Sequence, residues 1–505
     1  MQNSVNNRVL LLYPTPYKVT GLPVGLATLS AVLKQNGYEV KIFDTAFYPS
    51  EKELDQNHAR ADLLISKEIV NEKETLVDNV SRMEEDLFKL TKDFYPLFIG
   101  VSILEPTYYI ALSMTRFIKK NFPAIKIIAG GVFPTLSPDI VFEEESIDVV
   151  CVGEGEKSIV EMAKNVANGK DLDDIRGLWI KSGNETIKNP PAQMNDIEKI
   201  PHPDYESFAP RLLLKPMQGR IYKMINIESS RGCPYICTYC GAPKLRKYYK
   251  DNSCGNYFRT MSVERVIEQI NYQVEQYKPE FIYFSSESFL SMNDADFDKF
   301  VKEYAKVNLP FWFQTRIETI SEDKIRKLKE VGLFWLTIGL EHGNEDFRKK
   351  VLRRNYKNDA LFEGVEILKK FDLGASLNNI MGFPDETREL IFDTIAINKK
   401  LYDVNKKMES NIFMFTPYQG CELYDICKSK GLINYQFLDS DPVDSESCLN
   451  FDRKWKDELK GLFRTFNLYV KLPEKYYTEI KIAEQFSEEG NKKLRELKEF
   501  IKKSN

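Results

Sequence analysis

The chain has 505 residues, 43% hydrophobic and 29% charged, with a formal net charge of −4. That length accommodates roughly two to four domains. The absence of a basic excess argues against nucleic acid as a partner, and no apolar run of about 18 residues marks a membrane span. The N-terminus, Met1-Gln2-Asn3-Ser4, lacks the basic and apolar regions of a signal peptide. Three of the eight cysteines cluster and five (Cys151, Cys254, Cys421, Cys427, Cys448) are scattered, a usage that suits a reducing cytoplasm with one metal site rather than a disulfide framework.

Strands and helices alternate from the start. Arg8–Tyr13 is a short apolar run expected as a buried strand. Leu26, Leu29 and Leu33 recur at helical spacing, with Gly37 as the stop. Glu39–Phe43 and Leu97–Val101 read as strands, Tyr108–Lys120 as a helix, Ile125–Ala129 and Asp148–Val152 as strands, and Ser158–Val166 as a helix. This order predicts a doubly wound, Rossmann-like α/β domain over residues 1–195, which binds ligands outside the carboxyl ends of its strands. Gly130-Gly131 and Gly153-Glu154-Gly155-Glu156 fall on that edge, either as tight turns or as a close backbone approach to a ligand. The charged insertion 48–95 reads as a solvated helical hairpin decorating the sheet rather than as a substrate lid. Residues 177–189 read as a hairpin turning at Ser182-Gly183-Asn184, and 196–220 as a Pro-punctuated linker.

From 221 to 430 six strands (Ile221–Ile227, Phe281–Ser285, Phe311–Arg316, Leu333–Leu340, Ala375–Ile380, Ile412–Phe415) alternate with helices, which predicts a partial (β/α)6 barrel. Polar residues gather where these strands end, the face on which barrels build sites. Residues 431–505 read as a small helical cap. Directly after the first barrel strand comes Arg231-Gly232-Cys233-Pro234-Tyr235-Ile236-Cys237-Thr238-Tyr239-Cys240. Three thiolates at this C-x3-C-x2-C spacing can hold three irons of a 4Fe–4S cluster and leave the fourth iron open to a small molecule. Structural zinc needs four ligands, and no second paired C-x2-C lies nearby.

Cys233-x3-Cys237-x-Tyr239-Cys240 after a strand resembles the signature of the radical S-adenosylmethionine superfamily. Its cobalamin-binding branch is resembled from about residue 8 to 425. The matching pieces are Gly130-Gly131-Val132-Phe133-Pro134-Thr135, Val152–Glu156, Thr315–Glu318, Ile338–Gly343, Met381–Thr387 and Thr416–Cys421. The resemblance implies a 4Fe–4S cluster on Cys233, Cys237 and Cys240, with Tyr239 shielding it. It places S-adenosylmethionine near Ser286, Glu287, Arg316, Glu341, Asn379 and Gly382, with Ser286 standing where the branch often has an acid. It implies cobalamin near Gly130, Gly131, Gly153, Glu154 and Gly155. No catalytic side chain is assigned. The D-x-H-x-x-G loop with which other cobalamin proteins place a histidine below cobalt is missing, and His58, His202 and His342 lie elsewhere; this resembles the many members of the branch that bind cobalamin without a histidine below cobalt, the reading expected here, and it also fits a domain that has lost cobalamin. The implied reaction is methylation of an unactivated carbon in a small-molecule substrate. One S-adenosylmethionine yields a 5′-deoxyadenosyl radical and a second remethylates cobalt, with electrons from a donor such as flavodoxin or ferredoxin. The alternatives are cyclisation or rearrangement without methyl transfer, and a non-catalytic iron–sulfur redox module.

Overall fold

A computed structural model describes residues 6–49, 56–69, 78–182, 185–435 and 446–504. Two seven-stranded sheets dominate. The first contains β1 (Arg8–Tyr13), β2 (Glu39–Asp44), β3 (Phe98–Ser102), β4 (Lys126–Gly130), β5 (Val149–Cys151), β6 (Leu178–Ser182) and β7 (Glu185–Lys188), in the order β2-β1-β3-β4-β5-β6-β7. β1 to β5 are parallel, and the β6–β7 hairpin adds antiparallel to β5. The hairpin is the expected one, although Gly183 and Asn184 of its turn lie outside the described residues. The winding order reverses between β1 and β3, which opens a crevice at their carboxyl ends.

The second sheet runs β16-β15-β14-β13-β12-β9-β8. Its strands are β8 (Leu214–Met217), β9 (Arg220–Ile227), β12 (Phe281–Phe284), β13 (Phe311–Thr315), β14 (Leu333–Glu341), β15 (Gly374–Met381) and β16 (Met408–Met414). β9 and β12 to β16 are parallel, as expected for six barrel strands, and β8 folds back antiparallel on β9. A short ladder of β10 (Ser230–Arg231) with β11 (Arg259–Thr260) ties the cysteine loop to the segment that follows it. Alternation sets the barrel's two faces. Ile282, Phe284, Phe311 and Phe313 are fully buried together with Phe297, Phe300 and Tyr304 of helix Asp294–Tyr304. Tyr283, Trp312 and Gln314 therefore turn to the opposite, lumenal face.

Three connections differ from the sequence expectation. Residues 196–220 are packed, not a loose tether: Tyr205, Phe208, Leu212 and Leu213 are buried in a core shared with β1 and β9. The insertion does not simply decorate the first sheet. Helix Met83–Phe94 packs there through Leu87 and Phe94. Ile65, however, joins the core of the C-terminal helices, while Asn467 Nδ2 and Lys471 Nζ donate to the carbonyls of Leu63 and Leu64 at 2.9 Å each. The segment thus crosses to the seam between β8 and β16, where Gln218 Nε2 also donates to Glu409 Oε1 at 3.0 Å. The C-terminal helices lie along the outside of the barrel. Helix Arg453–Lys471 presents Leu459, Leu462, Phe463 and Phe466, a helical-period stripe, to Met381, Ile412 and Met414.

Asp204 pins the connection to helix Val24–Gln35. It accepts from Ser30 Oγ at 2.5 Å, Ser207 Oγ at 2.6 Å and Lys34 Nζ at 2.9 Å. Burial alone would raise its carboxyl, but these donors outweigh it and hold the group below its ordinary value. Its stabilising contribution is therefore present above the unfolded value near 3.9 and lost as pH falls through the lower folded value. Asp204→Asn is expected to cost about 1–3 kcal/mol at pH 7. The gap to wild type should close under acid, read as the shift of the urea midpoint at the two pH values.

Candidate active site

The cysteine loop follows β9 and faces the carboxyl ends of the first sheet. Its geometry is set by contacts that leave little choice of residue. Gly232 has φ +80°, and a Cβ there would run into the Tyr257 carbonyl. Ser286 is buried, and its Oγ accepts from Ser229 N at 3.0 Å and Ser230 N at 3.2 Å. It also meets Ser229 Oγ at 2.7 Å, so it braces the approach to the loop. Leu136, at the end of the short helix Val132–Leu136 after β4, wedges against Gly241 and Gly420; a Cβ at either glycine would approach its Cδ atoms to 2.8 Å. Ser137 Oγ donates to Gln419 Oε1 at 2.9 Å. The motifs at 130–135, 231–240 and 416–421 therefore meet in space.

All eight cysteines are free thiols, and Cys237 is buried. Arg316 Nη1 donates to Cys237 Sγ at 3.5 Å, while its guanidinium stacks 3.9 Å from the Tyr235 ring centre and pairs with Glu318 at 2.7 Å. Among the described residues no three His, Cys, Asp or Glu side chains converge on a single metal ion. A cubane cluster asks for a wider arrangement, since each thiolate binds a different iron. Glu287 is exposed, and its charge acts on Cys233, Cys240 and Tyr257, opposing their ionisation. Loss of solvation, then the neighbouring Glu228, raises its carboxyl. Glu341, at φ +67°, accepts from Arg354 Nη1 at 3.1 Å, and the same nitrogen donates to the Tyr239 hydroxyl at 3.0 Å. Burial raises the Glu341 carboxyl, and Arg354 works against that rise.

Glu287, Arg316 and Glu341 are thus gathered around the cysteine loop. Two other expected residues are not. Asn379 is fully buried on the helix side of β15, where its Nδ2 donates to Asn398 Oδ1 at 3.2 Å and to the Asn411 carbonyl at 3.0 Å. Strand parity gives the lumen Asn378 instead. Gly382 ends β15 at φ +86°, with its N–H donating to Glu386 Oε2 at 2.5 Å. That glutamate also receives His342 Nε2–H at 3.0 Å, which identifies His342 as a buried structural histidine.

Opposite the cysteine loop, at the crevice of the first sheet, lies a cavity of ≈ 280 Å³. Gly25, Ser102, Gly130, Gly131, Gly153, Glu154 and Gly155 line it from the sheet side, and Glu228, Arg231, Tyr249 and Tyr257 from the barrel side. Gly131 has φ +114° and packs so tightly that a Cβ would lie 2.7 Å from the Ile103 carbonyl oxygen. At Gly25 a Cβ would meet nothing within 4 Å. Gly131 thus answers to its own packing and Gly153 to the nearby Tyr249 hydroxyl, while the open space at Gly25 is the side on which a bulky ligand such as cobalamin fits. Among the described residues no histidine lines it; His202 stacks on Tyr272 at 4.7 Å instead, and the side chain of His58 lies outside the described residues. Glu154 reaches the cavity, but its carboxylate is engaged by Arg259 and by Asn195 N at 2.8 Å. Burial opposes its ionisation, yet these partners with Arg231 hold it below the usual carboxylate range. Arg231 in turn pairs with Glu156 at 2.6 Å and Glu228 at 2.9 Å. Burial keeps Glu228 above its ordinary value, Arg231 notwithstanding. This five-member cluster joins both halves of the site. Glu228, Arg259, Tyr249, Tyr257 and Arg354 had no sequence signal, because they converge only through folding.

The fold and site define a protein with two facing cofactor platforms, a doubly wound sheet and a three-cysteine barrel. A model of the Radical SAM superfamily matches residues 227–396, and a model of the B12 binding domain matches residues 68–163. The chain belongs to the cobalamin-binding branch of the radical SAM superfamily, and its cofactors are a 4Fe–4S cluster, S-adenosylmethionine and cobalamin. An uncharacterized methyltransferase of Pyrococcus horikoshii is 26% identical over 442 residues, covering 84% of each chain. An anaerobic magnesium-protoporphyrin IX monomethyl ester cyclase of Synechocystis sp. is 22% identical over 443 residues, 84% of this chain and 78% of that one. The radical S-adenosylmethionine methyltransferase TsrM from Kitasatospora setae, solved with cobalamin and [4Fe-4S] cluster bound, shares the fold at a TM-score of 0.61. It is 16% identical, over 85% of this chain and 80% of that one.

Proposed function

We propose that this enzyme methylates an unactivated carbon of a small-molecule substrate. The observation that carries the reading is the glycine-lined cavity facing the cysteine loop across the Arg231 cluster, which sets two cofactor sites mouth to mouth. Cys233, Cys237 and Cys240 hold the cluster, and Gly25, Gly130, Gly131, Gly153 and Gly155 cradle cobalamin through backbone. When bound, the cluster and S-adenosylmethionine supply a hydrogen-abstracting radical and cobalamin supplies the methyl group. The chain's own residues bind and orient. Glu287 offers a carboxylate to the amino group of S-adenosylmethionine, and Arg316 a cation near its carboxylate. Glu341 takes the ribose hydroxyls. Arg316 also places a positive charge on a ligand thiolate, which favours the reduced cluster. Electrons come from a one-electron carrier such as flavodoxin or ferredoxin. The free thiols fit a cytoplasmic location, and among the described residues no helix is long and apolar enough to cross a membrane.

Anaerobically reconstituted protein supplied with cobalamin, S-adenosylmethionine, reductant and substrate is expected to release both 5′-deoxyadenosine and S-adenosylhomocysteine. Deoxyadenosine without S-adenosylhomocysteine would instead select the cyclase-type outcome, and neither product would reject the enzyme reading. The retained corrinoid should show the spectrum of cobalt without a histidine below it.

A further inference from the structure

The cavity between the two cofactor platforms is lined by a buried phenol that the packing of the protein does not use. Tyr249 is the buried residue of the helix Ala242–Asp251, which leaves the cysteine loop. It is 4% exposed and lines the cavity from the barrel side. Its hydroxyl lies over the turn after β5, where a Cβ on Gly153 would come to 3.1 Å from it. Among the described residues that hydroxyl has no hydrogen-bond partner. The carboxylate on the same wall, Glu154, is taken by Arg259 and Asn195. Other buried tyrosines of the chain behave differently. Tyr205 donates to the Asn226 carbonyl at 2.6 Å, Tyr304 to the Leu309 carbonyl at 3.0 Å and Tyr356 to the Leu340 carbonyl at 2.6 Å.

The ring itself is firmly held. It stacks on Tyr257 at 5.9 Å and 17°, and meets Tyr248 edge-on at 5.6 Å and 70°. Tyr257 is fixed in turn by the cysteine loop, since its carbonyl packs against Gly232, and by the β10–β11 ladder that begins two residues later. The hydroxyl is thus placed by the barrel and presented to the first sheet. Burial, then the Glu154 charge, raises the phenol above its ordinary value, so it stands there as a neutral O–H donor. A buried tyrosine ordinarily finds a partner for its O–H, and a donor left without an acceptor destabilises the fold. A phenylalanine would pack here equally well, so the oxygen answers to a group that enters the cavity.

We propose that Tyr249 is a cobalamin-binding residue contributed by the barrel, its hydroxyl donating to an amide oxygen on the rim of the corrin ring. This rests on the placement of cobalamin in the cavity under the proposed function. It extends that reading beyond the first domain, because the B12 binding domain model ends at residue 163. Position favours the rim over the nucleotide tail. The hydroxyl stands on the barrel side, next to the cysteine loop, whereas Leu11, Leu26, Leu29, Ile128 and Ile159 line the cavity from the sheet and offer amides no partner. A corrin bonded to Tyr249 is therefore registered, through Tyr257 and Gly232, to the loop that carries the cluster.

The test reads binding and needs no turnover. Tyr249→Phe removes the oxygen and keeps the ring. Protein with its cluster reconstituted and no corrinoid bound is titrated with hydroxocobalamin and with dicyanocobinamide, which keeps the rim amides and lacks the nucleotide tail, and binding is followed by absorbance. Both dissociation constants are expected to rise roughly three- to tenfold in Tyr249→Phe, the range of one hydrogen bond between neutral groups. Tyr248→Phe, next in the chain, should bind as wild type. Without corrinoid, Tyr249→Phe should melt no lower than wild type, since its hydroxyl has no protein bond to lose. Unchanged dissociation constants would overturn the proposal. So would a penalty seen with cobalamin alone, an equal loss in Tyr248→Phe, or a lowered melting temperature without corrinoid. Gly25→Leu keeps the two readings apart. If it loses corrinoid while Tyr249→Phe binds as wild type, the cavity stands and the tyrosine assignment falls; if wild type binds neither corrinoid, both fall.

Discussion

Cys237→Ala is expected to abolish reductive cleavage of S-adenosylmethionine, lowering 5′-deoxyadenosine by roughly three orders of magnitude or more, to the level of cluster-free protein. Each thiolate of a three-cysteine loop carries its own iron, so no neighbouring group can take over the lost position. Cys237 is also the most buried of the three ligands, and Arg316 donates to its sulfur at 3.5 Å. Removing the thiol leaves that guanidinium without its sulfur partner in a largely desolvated place. Iron content after reconstitution should fall in parallel. Arg316→Gln provides the graded comparison. The three ligands remain, but the cation on the thiolate is gone. Iron content should hold while deoxyadenosine formation drops by about 10- to 100-fold, the usual cost of removing a partner that tunes a metal ligand. Equal activity in wild type and Cys237→Ala would refute the cluster assignment outright.

The second large effect is expected at the other platform. Gly25 lies in the first turn of helix Val24–Gln35, lines the cavity, and has open space where a side chain would project. Gly25→Leu should therefore reduce bound corrinoid by roughly tenfold or more, equivalent to about 1.4 kcal/mol or more of binding free energy. Leucine is a better helix former than glycine by nearly 1 kcal/mol, so the variant should be no less stable, which separates a filled cavity from a damaged fold. Bound corrinoid is read from the absorbance of protein purified with added cobalamin, and iron content serves as the internal control. Unchanged corrinoid in Gly25→Leu would mean that the ligand sits elsewhere than against this cavity.

The order of elements was legible in the chain because both domains are built from local β–α units. Hydrophobic runs of strand length alternate with helical-period stripes, so strand Arg8–Tyr13 and the helix expected over Tyr108–Lys120, found at Tyr108–Asn121, could be placed from periodicity alone. The three cysteines proposed as cluster ligands stood out for a related reason. They lie within eight residues, and their spacing is itself the geometry that a single loop imposes. The glycines at 130–131 and 153–155 were visible because a wound sheet always places such turns at its carboxyl edge.

What the sequence could not decide is which side a strand residue faces and which distant segments share a wall. Asn378 and Asn379 are adjacent and chemically identical, yet the pleat sends one to the lumen and the other to Asn398. Only the register of β15 against its neighbours settles that, and a one-residue slip would exchange them. The insertion looked polar enough to be a surface hairpin, because its apolar residues are few; Ile65 finds its partners some 400 positions away in the C-terminal helices. The Arg231 cluster draws on three separate stretches of chain, 154–156, 228–231 and the strand residue Arg259. Each charge in it reads as an ordinary surface residue until folding removes its water. Local patterning therefore determined the elements, the cluster loop and the first chemical step. Tertiary structure alone decided the ligand-facing side chains, because desolvation and convergence arise only once distant segments pack.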